Sequence, residues 1–143
     1  MAHTPATILI IDDEEIIREA LEALLTAEGY TVLMAPTAGQ GLDVVTERYV
    51  DAVLLDLMLP DRNGLEVLPE IRRIDEELPV VMITAFGTIE SAIAATKQGA
   101  FHYFTKPFKN DEVLVILRNA IERRRLARAN RAFLEDTYSP QFI

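Results

Sequence analysis

Short apolar runs recur along the chain, and four of them end on a polar residue. The runs and the residues that follow them are Ile8–Ile11 before Asp12 and Asp13, Val53–Leu55 before Asp56, Val80–Ile83 before Thr84, and Phe101–Thr105 before Lys106. A fifth run, Tyr30–Met34, lies between the first two. Short apolar runs that alternate with helical segments predict buried parallel strands.

The segments between these runs have the spacing and the end signals of helices. Glu14–Glu28 carries apolar residues three and four apart and is followed by a glycine. Thr88 predicts the N-cap of a fourth helix that ends at Gly99. Pro69 lies about one turn into the third, Leu65–Glu76, and should kink that helix or mark a late start. Five βα repeats predict an α/β fold, a doubly wound parallel (βα)5 sheet with helices on both faces and the flavodoxin-like strand order 2-1-3-4-5.

The predicted fifth helix extends well beyond the sheet. It starts near Asn110 and meets no breaker before Pro140, and its apolar stripe continues through Leu126, Ala129 and Phe133. Five arginines make this stretch basic, which is compatible with a solvated helix end, where positive charge is favourable. We favour a short dimerising coil or interdomain linker, because an uncovered apolar stripe needs a partner.

Composition narrows the class of protein. The chain has 143 residues, no cysteine and a formal net charge of −9. This length suits one domain, and the lack of cysteine excludes disulfides, thiolate zinc sites and cysteine nucleophiles. The negative charge argues against nucleic-acid binding by this chain, and no apolar stretch is as long as a membrane span. Because Met1–Pro5 lacks the pattern of a signal peptide, we expect a cytoplasmic protein.

The polar residues after the strands predict one site. Ligands of open parallel sheets bind at the carboxyl ends of the strands, and the predicted order makes the first and third strands neighbours. Asp12 and Asp13 should therefore lie beside Asp56, where three carboxylates repel each other and resist ionisation. A hard divalent cation resolves this conflict, and an all-oxygen ligand set favours Mg²⁺. Taken alone, Asp12 and Asp13 are equally compatible with a helix N-cap beside a solvated acid.

Asp56 has the features of a carboxylate nucleophile toward phosphorus, because it is central in the site and flanked by apolar residues. Thr84 can hydrogen-bond one phosphoryl oxygen, and Lys106 can neutralise another. In isolation, Thr84 would be interpreted as a hydroxyl at the end of a strand, and Lys106 as a surface lysine. A cis peptide bond between Lys106 and Pro107 would aim the lysine back into the site.

These residues resemble the motifs of the receiver domain of bacterial two-component response regulators. The resemblance extends from about Thr7 to Arg123, and its motifs are Ile11–Glu14, Leu55–Pro60 with Gly64, Ile83–Ala85, and Thr105–Phe108. It implies a receiver domain over residues 1–123 and a linker helix over 124–143. It also implies a signalling phosphoacceptor rather than an enzyme, with intrinsic autophosphorylation and slow loss of the phosphoryl group.

The resemblance assigns a role to each residue of the site. Asp56 would accept a phosphoryl group from a sensor histidine kinase. Mg²⁺ would be bound directly by Asp13, Asp56 and the backbone carbonyl of Met58, and through water by Asp12. The phosphoryl-binding groups would be Thr84, Lys106 and the Ala85 backbone N–H, and the switch residues would be Thr84 and Tyr103.

Two further segments, Ala85–Glu90 and Gln98–Phe101, resemble the nitrogen-regulator (NtrC) class of enhancer-binding transcription activators. That likeness implies a linker helix, which the stripe through Phe133 fits, and an AAA+ ATPase and a DNA-binding domain outside this chain. From the apolar stripe itself we expect a homodimer formed through the C-terminal helix. Met58 and Phe86 are apolar where some members of the family have polar groups that orient a hydrolytic water. We therefore expect the phosphorylated form to persist.

Two other classes could use a similar strand-end site. A Mg²⁺-dependent aspartyl-phosphate phosphohydrolase would need a general acid near Asp56 and a cap that excludes water. Met58 cannot donate a proton, and no predicted loop is long enough for a cap. A flavin-binding module would need a phosphate loop rich in Gly, Ser or Thr after the first strand, where Asp12–Glu15 would instead repel phosphate.

Overall fold

The computed structural model describes residues 5–138, with side chains through residue 132. Its centre is a five-stranded parallel sheet in the order β2-β1-β3-β4-β5. The strands are β1 (Thr7–Ile11), β2 (Thr31–Ala35), β3 (Ala52–Asp56), β4 (Val80–Thr84) and β5 (His102–Thr105). The helices are α1 (Glu15–Ala27), α2 (Ala38–Glu47), α3 (Gly64–Ile74), α4 (Ile89–Lys97) and α5 (Asn110–Tyr138). The predicted fold and strand order are confirmed.

Alternate residues of the central strands enter two separate apolar cores. Leu9, Val53 and Met82 face one core, which α2, α3 and α4 cover. Ile10 and Leu54 face the other core, which α1 and α5 cover. Both faces of the sheet are therefore buried, which is why the central strands are continuous apolar runs rather than alternating ones.

The predicted end signals act at both termini of α4. The Thr88 side chain accepts a hydrogen bond from the Ser91 N–H, and the Ser91 hydroxyl accepts one from the Thr88 N–H, which makes a capping box. Gly99 follows α4 with φ +92°, a conformation that glycine adopts without steric cost. Pro69 does not mark a late start, because α3 begins at Gly64 and the Asn63 side chain caps it.

A buried arginine of α5, to which the sequence analysis gave no individual role, joins this helix to residues that follow α2 and α3. Arg124 is only 3% exposed and forms two bonds with the Asp75 carboxylate, at 2.7 and 3.3 Å. Its Nε also donates to the Tyr49 hydroxyl at 3.0 Å, and the Arg128 guanidinium lies 4.8 Å from the centre of the Tyr49 ring. The interpretation of this stretch as a solvated helix end is therefore wrong for Arg124, since its side chain is buried and paired.

The predicted apolar stripe of α5 is only partly visible. Leu126 is 63% exposed, and Ala129 is also exposed. The Phe133 side chain lies outside the described residues. Within the described chain, no helix combines the length and the apolar character that crossing a membrane requires.

Candidate phosphoryl and metal site

Three aspartates lie together at the carboxyl edge of the sheet. The register pairs Ile11 of β1 with Leu55 of β3, so Asp12 and Asp13 emerge next to Asp56. One carboxylate oxygen from each of the three aspartates lies within 4.8 Å of the other two. Asp12 and Asp56 are buried, whereas Asp13 is exposed. The prediction that these acids converge is confirmed.

Lys106 brings a positive charge into the same cluster. Its Nζ donates to Asp12 Oδ2 at 2.9 Å, to Glu14 Oε1 at 2.7 Å and to Asp56 Oδ2 at 3.4 Å. The Lys106–Pro107 peptide bond, a candidate for the cis form, is cis. Lys106 is therefore a member of the site and not a surface lysine.

Burial and the neighbouring charges shift the pKa values of Asp56 and Lys106. Burial, and next the nearby Asp12 carboxylate, raise the pKa of Asp56 from the usual 3.8 to about 6, although Lys106 and the Met58 N–H partly offset them. Burial alone would lower the pKa of Lys106, but its hydrogen bonds to Glu14 and Asp12 outweigh burial and raise that pKa. The expected resistance of one acid to ionisation thus falls on Asp56.

The donor set of the cluster fits a magnesium ion. The three aspartates offer carboxylate oxygens, the ligand type that Mg²⁺ prefers, and one of the three acids is open to water. Asp12 Oδ1 accepts a bond from the Glu14 N–H at 2.9 Å, and Asp56 Oδ1 accepts one from the Met58 N–H at 3.2 Å. These bonds orient two of the carboxylates.

Thr84 ends β4, the strand next to β3, and Tyr103 lies on β5 at the edge of the sheet. The Thr84 side chain is fully buried, and its Oγ1 accepts a hydrogen bond from the Phe86 N–H at 3.0 Å. The half-buried Tyr103 has its hydroxyl 2.6 Å from Ser91 Oγ, the same atom that belongs to the capping box of α4. Gly87 brings the loop between β4 and α4 against this ring, because a Cβ there would lie 3.1 Å from the Tyr103 hydroxyl.

The β3–α3 loop, Leu57–Asn63, forms the rim of the site. Asp61 in this loop accepts hydrogen bonds from the Ala38 N–H at 2.9 Å and the Gly39 N–H at 3.0 Å, the first two residues of α2. Gly64 closes the loop, and a Cβ there would lie 2.4 Å from the Asp56 carbonyl oxygen.

Sequence reasoning assigned no role to three residues of this region. Glu14 binds Lys106, Ser91 binds Tyr103, and Asp61 binds the start of α2. The position of Glu14 directly after Asp12 and Asp13 was a usable signal, since it places a third acid at the same strand end. Ser91 and Asp61 have no such local signal, because their partners come from other elements.

Comparison with known proteins identifies the group to which this site belongs. Residues 8–118 match the response regulator receiver domain. The chain belongs to this family. Over 123 residues the receiver is 37% identical to the transcriptional regulatory protein GlrR of Escherichia coli K12, covering 86% of this chain and 28% of GlrR.

Solved structures of NtrC-like regulators share the receiver fold. NtrX of Brucella abortus matches 91% of this chain over 30% of its own, with a TM-score of 0.83 and 36% identity. The beryllofluoride-activated NtrC4 receiver domain dimer matches 82% of this chain over 98% of its own, with a TM-score of 0.79 and 30% identity. The chain thus spans less than a third of GlrR and NtrX.

Proposed function

We propose that this receiver accepts a phosphoryl group on Asp56 from a sensor histidine kinase, in a Mg²⁺-dependent reaction in the cytoplasm. The observation that carries the proposal is the convergence of Asp12, Asp13 and Asp56 with the Lys106 ammonium. A buried carboxylate beside a fixed cation and two further acids can act as a nucleophile once a metal ion offsets the excess charge.

The transfer step uses Asp56 as the nucleophile. A carboxylate oxygen of Asp56 forms an O–P bond while the P–N bond to the kinase histidine breaks, and the electron pair of that bond stays on the imidazole nitrogen. The product is an acyl phosphate. Lys106, already 3.4 Å from Asp56 Oδ2, neutralises charge on the phosphoryl oxygens as the group arrives.

Asp13, Asp56 and the Met58 backbone carbonyl would hold Mg²⁺ directly, and Asp12 would hold it through water. When bound, Mg²⁺ neutralises charge on the acids and on the phosphoryl oxygens. The exposure of Asp13 leaves this edge of the cluster open to the waters that Mg²⁺ in proteins retains.

Phosphorylation would switch the receiver through Thr84 and Tyr103. The acyl phosphate adds oxygens that would accept hydrogen bonds from the Thr84 hydroxyl and from the Ala85 N–H. Reaching them would draw Thr84 away from the Phe86 N–H, whose hydrogen bond its Oγ1 now accepts. Movement of Thr84 vacates space that Tyr103 fills as its bond to Ser91 breaks. The switched surface is that of α4, β5 and α5, and the phosphoryl group acts by shifting the population between two existing packings.

The receiver would act as part of a longer transcription regulator. Its match to 28% of GlrR and 30% of NtrX supports membership of a longer protein. We propose a receiver over residues 1–123, a linker over 124–143, and AAA+ and DNA-binding regions beyond. We propose that the chain forms a homodimer through the C-terminal helix and does not itself bind nucleic acid. Its activity is that of a signalling phosphoacceptor, not of an enzyme with turnover.

Intact-mass measurement with acetyl phosphate and MgCl₂ tests this function. The wild type should gain the mass of one phosphoryl group, while Asp56→Asn and a chelator-treated wild type should gain none. An equal adduct on Asp56→Asn would overturn the assignment of the phosphoacceptor. If the wild type stays unmodified, the same experiment with a phosphorylated histidine kinase decides, and a folded protein that is unmodified there too is not a phosphoacceptor.

The decay of the adduct after removal of the donor separates a receiver from an aspartyl-phosphate phosphohydrolase. Met58 and Phe86 flank the site with exposed apolar side chains, so neither orients a water for hydrolysis. We expect the adduct to persist far beyond seconds. Rapid release of inorganic phosphate with repeated turnover would favour the phosphohydrolase.

A further inference from the structure

The β3–α3 loop is closed at its base by backbone contacts. The Gly64 N–H donates to the Leu57 carbonyl at 2.6 Å, and Met58 pairs with Asn63 in an antiparallel bridge. The absence of a Cβ at Gly64 permits the close approach to the Asp56 backbone. The two ends of the loop are therefore fixed next to the nucleophile, whereas its tip extends beyond these contacts.

Asp61 holds the tip of this loop on another element. Its two carboxylate oxygens accept separate hydrogen bonds from the N–H groups of Ala38 and Gly39, which open α2 and have no acceptor within that helix. The Thr37 hydroxyl accepts the hydrogen bond of the Gln40 N–H. The free N–H groups of the first turn of α2 are therefore bound partly by the loop and partly by the N-cap residue. The bonds from Ala38 and Gly39 also lower the pKa of Asp61, which therefore stays ionised at the positive end of the α2 dipole.

This tether bears on the backbone of Met58, which lies three residues before Asp61 in the loop. The Met58 carbonyl belongs to the peptide that joins the closed base to the tip. The Met58 N–H is held by Asp56 Oδ1 at 3.2 Å, but the Met58 side chain is 49% exposed and does little to orient the carbonyl on the other side of the residue. The orientation of that carbonyl therefore also depends on where the tip is held.

We propose that Asp61 is a positioning residue for the metal site: by fixing the loop tip to the start of α2, it holds the Met58 carbonyl in the orientation that Mg²⁺ requires. The inference rests on the proposed function, because it concerns one ligand of the same site. Asp61 itself is not a ligand, since both of its oxygens are engaged by backbone N–H groups. A ligand held in place before binding loses less conformational freedom when the metal arrives.

The chain offers a matched pair of variants for the test. Asp61→Ala and Thr37→Ala each remove acceptors from the first turn of α2, but only Asp61→Ala releases the loop. The Mg²⁺ affinity of the 143-residue chain is measured by following backbone amide NMR signals during titration with MgCl₂. We expect Asp61→Ala to weaken binding about tenfold, the lower end of the loss caused by changing outer-shell partners of metal ligands.

Thr37→Ala should leave the Mg²⁺ affinity close to that of the wild type. Asp61→Asn keeps one acceptor oxygen, so it should retain part of the affinity that Asp61→Ala loses. Amide hydrogen exchange of Met58 and Leu59 without metal gives a second readout, which should rise in Asp61→Ala and not in Thr37→Ala. The NMR spectrum shows whether each variant is folded, and Asp61→Asn provides the comparison if Asp61→Ala is not.

The outcomes separate this inference from the function on which it rests. Unchanged affinity in Asp61→Ala, or an equal loss in Thr37→Ala, would overturn the positioning role and leave the phosphoacceptor intact. A wild type that binds no Mg²⁺ would overturn both.

Discussion

Asp56 combines burial with a charge that the protein stabilises only in part. Its exposed fraction is 4%, Asp12 lies beside it, and its pKa is raised to about 6. Lys106 offsets some of this repulsion but also serves Asp12 and Glu14. The metal-free site therefore holds more negative charge than the Lys106 ammonium neutralises, and this excess would favour binding of a divalent ion.

Metal-free wild type should lose stability relative to Asp56→Asn as the pH rises. The pKa of Asp56 is about 6 in the folded protein, against the usual 3.8 that applies to the unfolded chain. The folded protein therefore binds this proton more tightly than the unfolded chain does. The resulting stabilisation is fully present below about pH 4 and is lost as the pH rises through about 6. At neutral pH the loss is on the order of 3 kcal/mol, since one pKa unit corresponds to about 1.4 kcal/mol.

Urea unfolding in a chelator between pH 4 and pH 8 measures this difference in unfolding free energy. Adding MgCl₂ at neutral pH should restore stability to the wild type and much less to Asp56→Asn, because only the folded wild type has the complete ligand set. A difference between the two proteins that is the same at every pH would contradict the raised pKa.

Pairs of residues that are far apart in the sequence were the hardest contacts to predict. Asp12, Asp13 and Asp56 could be placed together because the carboxyl ends of neighbouring parallel strands meet at one edge, whatever the side chains. Glu14 and Lys106 are 92 residues apart, and Arg124 and Asp75 are 49 apart. Nothing in local spacing reveals such pairs, because they depend on how whole elements dock.

The β3–α3 loop requires glycine at the residue where α3 begins. A Cβ on Gly64 would lie 2.4 Å from the Asp56 carbonyl oxygen and 2.9 Å from the Leu57 Cα, and these backbone atoms cannot move without moving the nucleophile. We expect Gly64→Ala to lower the unfolding free energy by about 2 kcal/mol or more and to slow phosphorylation.

Gly39→Ala is the matched control for this substitution. Its Cβ would meet its nearest atom at 3.6 Å, an ordinary contact, and alanine is favoured over glycine in a helix. The control should be neutral or stabilising by up to about 1 kcal/mol, with normal phosphorylation. Urea unfolding and the intact-mass assay give both readouts, and equal losses in the two variants would show that space at Gly64 is not the cause.

The helices were predictable to the extent that their ends depend on local chemistry. Thr88 and Gly99 mark the two ends of α4 as expected, because an N-cap hydroxyl and a left-handed glycine act within one turn of the helix. Pro69 was misleading about the start of α3, since Asn63 caps the helix earlier. The link from Asp61 to α2 lay beyond local reasoning, because a loop residue from another βα unit supplies it.

The C-terminal half of α5 should determine whether this chain associates with a second copy. Leu126 is 63% exposed on a helix whose opposite face is bound to the body through Arg124. If the exposed stripe forms the dimer, Leu126→Glu should abolish concentration-dependent association in sedimentation equilibrium, because a charge in an apolar seam has no partner. Ile16→Glu, at an apolar residue of α1 that is 80% exposed, is the control and should associate as the wild type does.

Two ion pairs hold the second half of α5, Arg124 with Asp75 and Arg131 with Glu77. The helix has 29 residues, and its segment from Arg131 to Tyr138 extends about 10 Å at 1.5 Å per residue. A tilt of about 10° at Arg131 would displace the far end by about 2 Å, from the same rise per residue. Under the proposed function, a small rotation of the helix would become a displacement whose size depends on how far the helix extends past Arg131.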